Sequence, residues 1–217
     1  MRYDLVIFDH DGVLVGSEPI AGTVLAEYLS ELGHATSYDD VLRDYLGASS
    51  RRVHDVVLER TGEPLPAEFD ETLRARTSAA LERKLSPVQG MEEVLGALTA
   101  HGISYCLASS ASHDQIRVAL RAAGIDDFFE EEWMCSAEDV AKEKPAPDLY
   151  LHAAQQMDVA PSRCVAVEAS PIGVRAAVAA GMDAFAFTGM VTADGLPGAT
   201  GYFGDMEQLP GLLGLDA

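Results

Sequence analysis

Two aspartates stand two positions apart near the start of the chain, in Asp9-His10-Asp11-Gly12. In an extended segment, residues i and i+2 share a side. The two carboxyls would then face one point, with His10 turned away. One such carboxylate can attack an electrophile while its neighbour moves protons. Asp-Gly equally suits an ordinary turn, so the pair alone decides little. Three more polar clusters add weight: Ser109-Ser110, Lys144-Pro145 and Glu168-Ala169-Ser170. Each has a plainer reading, because serine often caps a helix and lysine is mostly a solvated surface residue. His10 reads as packing or local hydrogen bonding. His34, His54, His101, His113 and His152 show no metal-ligand spacing, and Trp133, Phe128 and Phe129 read as core.

What could bring four separate clusters together is the pattern of elements. Tyr3–Phe8 is a short apolar run with β-rich residues, which predicts a buried central strand. From Pro19 to about Leu85 the apolar spacing is helical, with Leu25, Leu29 and Leu32 on one face. Val53, Val56 and Val57 mark a later helix, and Phe69, Leu73, Thr77, Ala80 and Leu85 another. Breaks fall at Gly33, Gly47 and Thr61–Pro64. Strands then alternate with helices: Met91–Ala100 helix, Ser104–Ala108 strand, His113–Ala123 helix and a very short strand at Met134-Cys135. Pro147–Met157 helix, Cys164–Val167 strand, Pro171–Ala180 helix, Asp183–Phe187 strand and a last edge strand at Gly201–Phe203 follow. Ser170 and Pro171 suit a helix start, and Gly124 and Gly181 suit helix ends. This alternation predicts an α/β fold with a doubly wound parallel sheet. Each polar cluster sits just after a strand or before a helix, where such sheets bind ligands.

Composition narrows the partners. Acidic residues outnumber basic ones 35 to 15 in 217 residues, a formal charge of −20. Such a surface repels nucleic acid and anionic membranes. It also repels phosphate, so a phosphate-binding site would need a local cation. Cys106, Cys135 and Cys164 form no C-x-x-C pair and predict buried free thiols in a reducing compartment. No signal-peptide shape and no membrane-length apolar run is visible. The expectation is a cytoplasmic protein, a monomer or weak homo-oligomer, with no nucleic-acid or membrane partner.

The stretches FDHDGVLV, LASSAS, KEKPAPDLY and VEASPIGVRAAVAAGM together resemble the four motifs of the haloacid dehalogenase superfamily. Their order, and the early helical insertion, are similar to its β-phosphoglucomutase-like phosphatase subfamily. The resemblance implies a Rossmann-like core of residues 1–15 and 88–217 and an α-helical cap of residues 16–87. It implies Mg2+-dependent hydrolysis of a small phosphorylated metabolite through an aspartyl phosphate on Asp9. Asp11 would serve as acid and base, and Ser109 would hold phosphoryl oxygens. Lys144 would neutralise their charge, while Gly12, Ser110 and Arg51 would bind substrate. Asp9, the Asp11 backbone carbonyl and Glu168 would be the metal ligands. The chain departs from the pattern at Ala169, where the family usually carries a second metal-binding aspartate. It departs less at Gly16 and Glu143. Four alternatives remain on the same scaffold. A phosphomutase is disfavoured because Ala21 occupies the position of that relative's cap histidine. A dehalogenase is disfavoured by Asp11, and a phosphonate-cleaving enzyme would have to rely on Lys84. A catalytically weakened phosphometabolite-binding protein is the reading that Ala169 motivates.

Overall fold

The computed structural model describes residues 2–45, 50–189 and 193–215. The chain divides into two units, Met1–Gly16 with Ser86–Ala217, and Ser17–Leu85.

Among the described residues the first unit carries six parallel strands: β1 (Leu5–Phe8), β2 (Ser104–Ser109), β3 (Met134–Ser136), β4 (Cys164–Glu168), β5 (Asp183–Phe187) and β6 (Gly201–Phe203). Their order is β3-β2-β1-β4-β5-β6. β1 lies between β2 and β4, with Phe8 opposite Leu107 on one side and Val167 on the other. The chain winds one way through β2 and β3 and the other way through β4 to β6. β1 and β4 therefore flank the point where the order reverses, which is where a doubly wound sheet opens a crevice. Every residue of β1 and β4 is buried, as expected of strands covered on both faces.

The second unit holds α1 (Ser17–Glu31), α2 (Tyr38–Asp44), α3 (Ser50–Thr61) and α4 (Phe69–Lys84). Leu25, Leu29, Val41, Val53, Val56, Val57 and Phe69 form its core, and Tyr28 stacks on Phe69 with ring centroids 5.1 Å apart. The sheet's helices are α5 (Met91–His101), α6 (His113–Ala123), α7 (Asp148–Gln156), α8 (Pro171–Ala179) and α9 (Leu209–Leu213). Gly124 ends α6 with φ 74°, a left-handed conformation open to glycine at little cost. Among the described residues no helix is long and apolar enough to cross a membrane. All three cysteines are buried free thiols.

Several boundaries differ from the sequence reading, each for a local reason. Tyr3 falls outside β1, and its hydroxyl donates to Asp183. Leu85 leaves α4 in an extended conformation as its C-cap. Pro147 is the N-cap of α7 rather than a helical residue. Of the three aromatic residues read as core, only Phe129 is buried; Phe128 and Trp133 are half-buried in the wall of a surface cavity.

Candidate active site

Asp9 follows β1 directly, and its backbone N–H continues the ladder to the Val167 carbonyl at 2.9 Å. The chain then turns sharply. Gly12 takes φ 77°, and the N–H groups of Leu14 and Val15 both donate to the His10 carbonyl at 3.1 Å. A side chain at position 12 would be strained in that conformation. This turn leaves Asp9 buried, with 8% exposure, and Asp11 exposed.

Lys144 reaches Asp9 from the segment before α7. Its Nζ donates to Asp9 Oδ1 at 2.8 Å, to Glu168 Oε1 at 2.8 Å and to the Ala108 carbonyl at 3.0 Å. All three ammonium hydrogens are thus directed at acceptors from the ends of β1, β4 and β2. An ordinary surface lysine would not be 8% exposed and held by two carboxylates.

Glu168 is the most enclosed member, with no exposure. It is the last residue of β4, not a loop residue beyond it. Its Oε1 also accepts from the Tyr150 hydroxyl at 2.5 Å. Its Oε2 accepts from the Ser170 backbone N–H at 3.2 Å and the Ser170 hydroxyl at 3.0 Å. A buried charge is tolerable only when paired and hydrogen-bonded in this way. Gly173, on the first turn of α8, makes room for it: a Cβ there would lie 1.7 Å from Glu168 Oε1.

The electrostatics follow from this crowding. Burial, and then the neighbouring Glu168 charge, push the Asp9 carboxyl up to about 7, although Lys144 pulls it back. Burial opposes the charge on Lys144, but Asp9 and Glu168 outweigh it and raise the ammonium's pKa. The Tyr150 hydroxyl is held protonated, by burial first and by Glu168 next.

The other expected site residues fall out as follows. Ser109 ends β2, buried at 1% exposure, and its hydroxyl accepts from the Ala111 N–H at 3.0 Å. Ser110 is exposed, and the cap of α6 is Ser112, in a reciprocal pairing with Gln115. Ala169 is buried beside Glu168 and offers no ligand atom on its side chain. Arg51 is exposed on α3 in the second unit. Gly47, read as a break between helices, lies outside the described residues. His10 is buried, yet neither ring nitrogen has a hydrogen-bond partner; Asp11 Oδ2 lies 3.4 Å from Nδ1. The reading of His10 as packing therefore holds, without the local hydrogen bond. Tyr150 and Gly173 were not singled out in the sequence. The tyrosine ends the KEKPAPDLY stretch, and the glycine sits three residues beyond Ser170; both positions become meaningful once Glu168 is known to be buried.

Residues 6–187 match the family model for haloacid dehalogenase-like hydrolases. The chain belongs to that family. Curated relatives include the 6-phosphogluconate phosphatase of Escherichia coli, 27% identical over 86% of this chain and 83% of that one. Another is fructose-1-phosphate phosphatase YqaB of the same organism, 31% identical over 84% of this chain and 95% of its own. Among solved structures, a haloacid dehalogenase-like protein of Agrobacterium tumefaciens superposes with a TM-score of 0.88. It is 32% identical, and 98% of both chains is covered. A family hydrolase of Deinococcus radiodurans with bound phosphate and sodium gives 0.89 at 30% identity, over 99% of this chain and 97% of that one. The six-stranded parallel sheet is thus the haloacid dehalogenase core.

Proposed function

We propose that this chain is a phosphatase that hydrolyses a small phosphorylated metabolite, a sugar phosphate foremost, through an aspartyl phosphate on Asp9. The observation that carries this reading is the placement of Asp9 at the sheet's switch point, buried and paired with Lys144. Curated relatives named as phosphatases of 6-phosphogluconate, fructose 1-phosphate and hexitols support the substrate class. So does the phosphate bound in the Deinococcus radiodurans structure.

Lys144 engages Asp9 Oδ1, which leaves Oδ2 as the attacking oxygen. The phosphoryl group passes to that oxygen and the ester oxygen departs, with Asp11 supplying its proton. Asp11, exposed and able to meet solvent, then takes a proton from the water that attacks the acyl phosphate. Lys144, kept charged by its two carboxylates, neutralises part of the phosphoryl charge. The Ser109 hydroxyl and the backbone amides after it hold the phosphoryl oxygens, and Gly12 and Ser110 border them. In this reading the helical unit is the cap domain, and Arg51 is its substrate-binding residue.

Magnesium favours hard oxygen ligands and keeps waters and substrate phosphate in its shell. The donor set is compatible with it, though lean. Asp9 and the Asp11 backbone carbonyl would hold the ion. Glu168, already engaged by Lys144, Tyr150 and Ser170, would reach it only through water, and Ala169 contributes nothing. Among the described residues no group of three or more His, Cys, Asp or Glu side chains is gathered to bind a metal. Bound there, magnesium would neutralise charge on the phosphoryl oxygens.

The test is phosphate release from a panel of sugar and sugar-acid phosphates, with and without Mg2+. Saturable release from at least one ester supports the reading, and no release from any overturns it. Including β-glucose 1-phosphate with a bisphosphate activator separates the mutase alternative. With Ala21 in place, free phosphate should form faster than glucose 6-phosphate.

A further inference from the structure

Two buried carboxylates compete for one ammonium. Lys144 Nζ is 2.8 Å from Asp9 Oδ1 and 2.8 Å from Glu168 Oε1. Glu168 is the deeper of the two, with no exposure against 8% for Asp9, so its charge is the more costly to leave unpaired. Left to itself, Glu168 would draw the ammonium away from Asp9. The Tyr150 hydroxyl opposes this by donating to the same oxygen, Oε1, at 2.5 Å. Its ring also faces the ammonium, with Nζ 5.0 Å from the centroid, within range of a cation–π contact. Tyr150 is itself completely buried, on α7, six residues after the lysine whose partner it shares. Its hydroxyl has no solvent to turn to.

We propose that Tyr150 is a positioning residue for the reaction: its hydroxyl satisfies Glu168 so that Lys144 stays on Asp9. The ring limits where the ammonium can go, and the hydroxyl sets how the two carboxylates share it. Tyr150 touches neither substrate nor reacting atoms in this role. The inference rests on the phosphatase reading for its kinetic consequence, but its structural half stands apart from it.

The experiment uses Tyr150→Phe, which keeps the ring and removes the hydroxyl. On the best substrate found, kcat should fall about tenfold while KM changes less than twofold, because Gly12, Ser110 and Arg51, the expected substrate-binding residues, are untouched. Tyr105→Phe is the control. Tyr105 is also buried, and its hydroxyl donates to the Phe128 carbonyl at 3.1 Å, remote from Lys144 in the hydrogen-bond network. It should lose stability as a buried hydroxyl does, yet keep wild-type kcat.

The second readout needs no turnover. The chain has three lysines, Lys84, Lys142 and Lys144, so a 15N ammonium spectrum should be simple. Lys144 should give the slowly exchanging signal, which shifts and exchanges faster in Tyr150→Phe and is unmoved in Tyr105→Phe. An unmoved Lys144 signal in Tyr150→Phe, or a kcat within twofold of wild type, overturns the proposal. If the wild-type protein releases no phosphate, the phosphatase reading fails, and the ammonium signal alone decides the role of Tyr150.

Discussion

Asp9→Asn should abolish turnover and make the protein more stable at pH 8. Asparagine keeps an oxygen for the Lys144 hydrogen bond but cannot attack phosphorus, so phosphate release should fall to background. The stability effect follows from the site's crowding. In the folded protein the Asp9 carboxyl is pushed from 3.8 to about 7, first by burial and then by Glu168. Below pH 3.8 both folded and unfolded chains hold the proton, and nothing is lost. Between 3.8 and about 7 the folded chain holds it and the unfolded chain does not, so stability falls as pH rises. Above about 7 both are ionised and the loss is constant. A shift of about 3 units corresponds to a ceiling of ~4 kcal/mol. That net shift already includes the attraction to Lys144, so the gain from asparagine lies at or below this ceiling. Urea titrations of both proteins at pH 4, 6 and 8, without divalent metal, measure the difference. It should be small at pH 4, larger at pH 6 and greatest at pH 8. A variant less stable than wild type at pH 8 would mean that the ion pair outweighs burial. The argument from Glu168 crowding would then be wrong, as would the assignment of Asp9 if turnover persisted.

Ala169→Asp should tighten Mg2+ binding at least tenfold, about 1.4 kcal/mol, because it adds an anionic ligand beside a lean donor set. Calorimetric titration of both proteins decides it, and equal affinities would mean that position 169 is not a ligand position. Gly173→Ala should be destabilised by about 3 kcal/mol or more and lose most of its turnover. Its Cβ would meet Glu168 Oε1 at 1.7 Å, and the carboxylate could move only by releasing Lys144 or Tyr150. Wild-type melting and kcat for this variant would show that Glu168 is not fixed as described.

The parallel sheet was readable because strands buried on both faces leave continuous apolar runs, as in LVIF and CVAV. The helix signals around α6 and α8 were readable for a similar reason: Gly124, Ser170 and Pro171 act on backbone groups close in sequence. Asp9 directly follows β1 as read, whereas Ser109 is the last residue of β2 and Lys144 lies in the segment before α7. Burial of polar groups did not follow from any rule of sequence. Glu168 looks like a loop residue until Lys144, Tyr150 and Ser170 are seen to surround it. His113 and His152 lack metal spacing in the sequence, yet their rings lie 2.9 and 3.9 Å from the two oxygens of Asp139. Such meetings depend on register between elements tens of residues apart, which local pattern does not encode.

The same burial bears on how a chain of formal charge −20 can handle an anion. Lys144 carries one positive charge between two carboxylates, so with both ionised the trio is net negative before any substrate arrives. A phosphate dianion would deepen that deficit in a place with little water to screen it. The elevated pKa of Asp9 comes first from burial and then from the Glu168 charge, and a proton is the simplest cation available to the site. A second cation near Asp9 would lower that pKa and favour the ionised nucleophile, and substrate binding would gain from it too. The Ala169 side chain offers no ligand atom for such a cation, while Tyr150 and Ser170 donate to Glu168. Nucleophile ionisation, lysine placement and cation affinity are therefore coupled through Glu168. Substitutions at residues 150, 169 and 173 should not act additively when combined, because each changes what that one buried carboxylate requires.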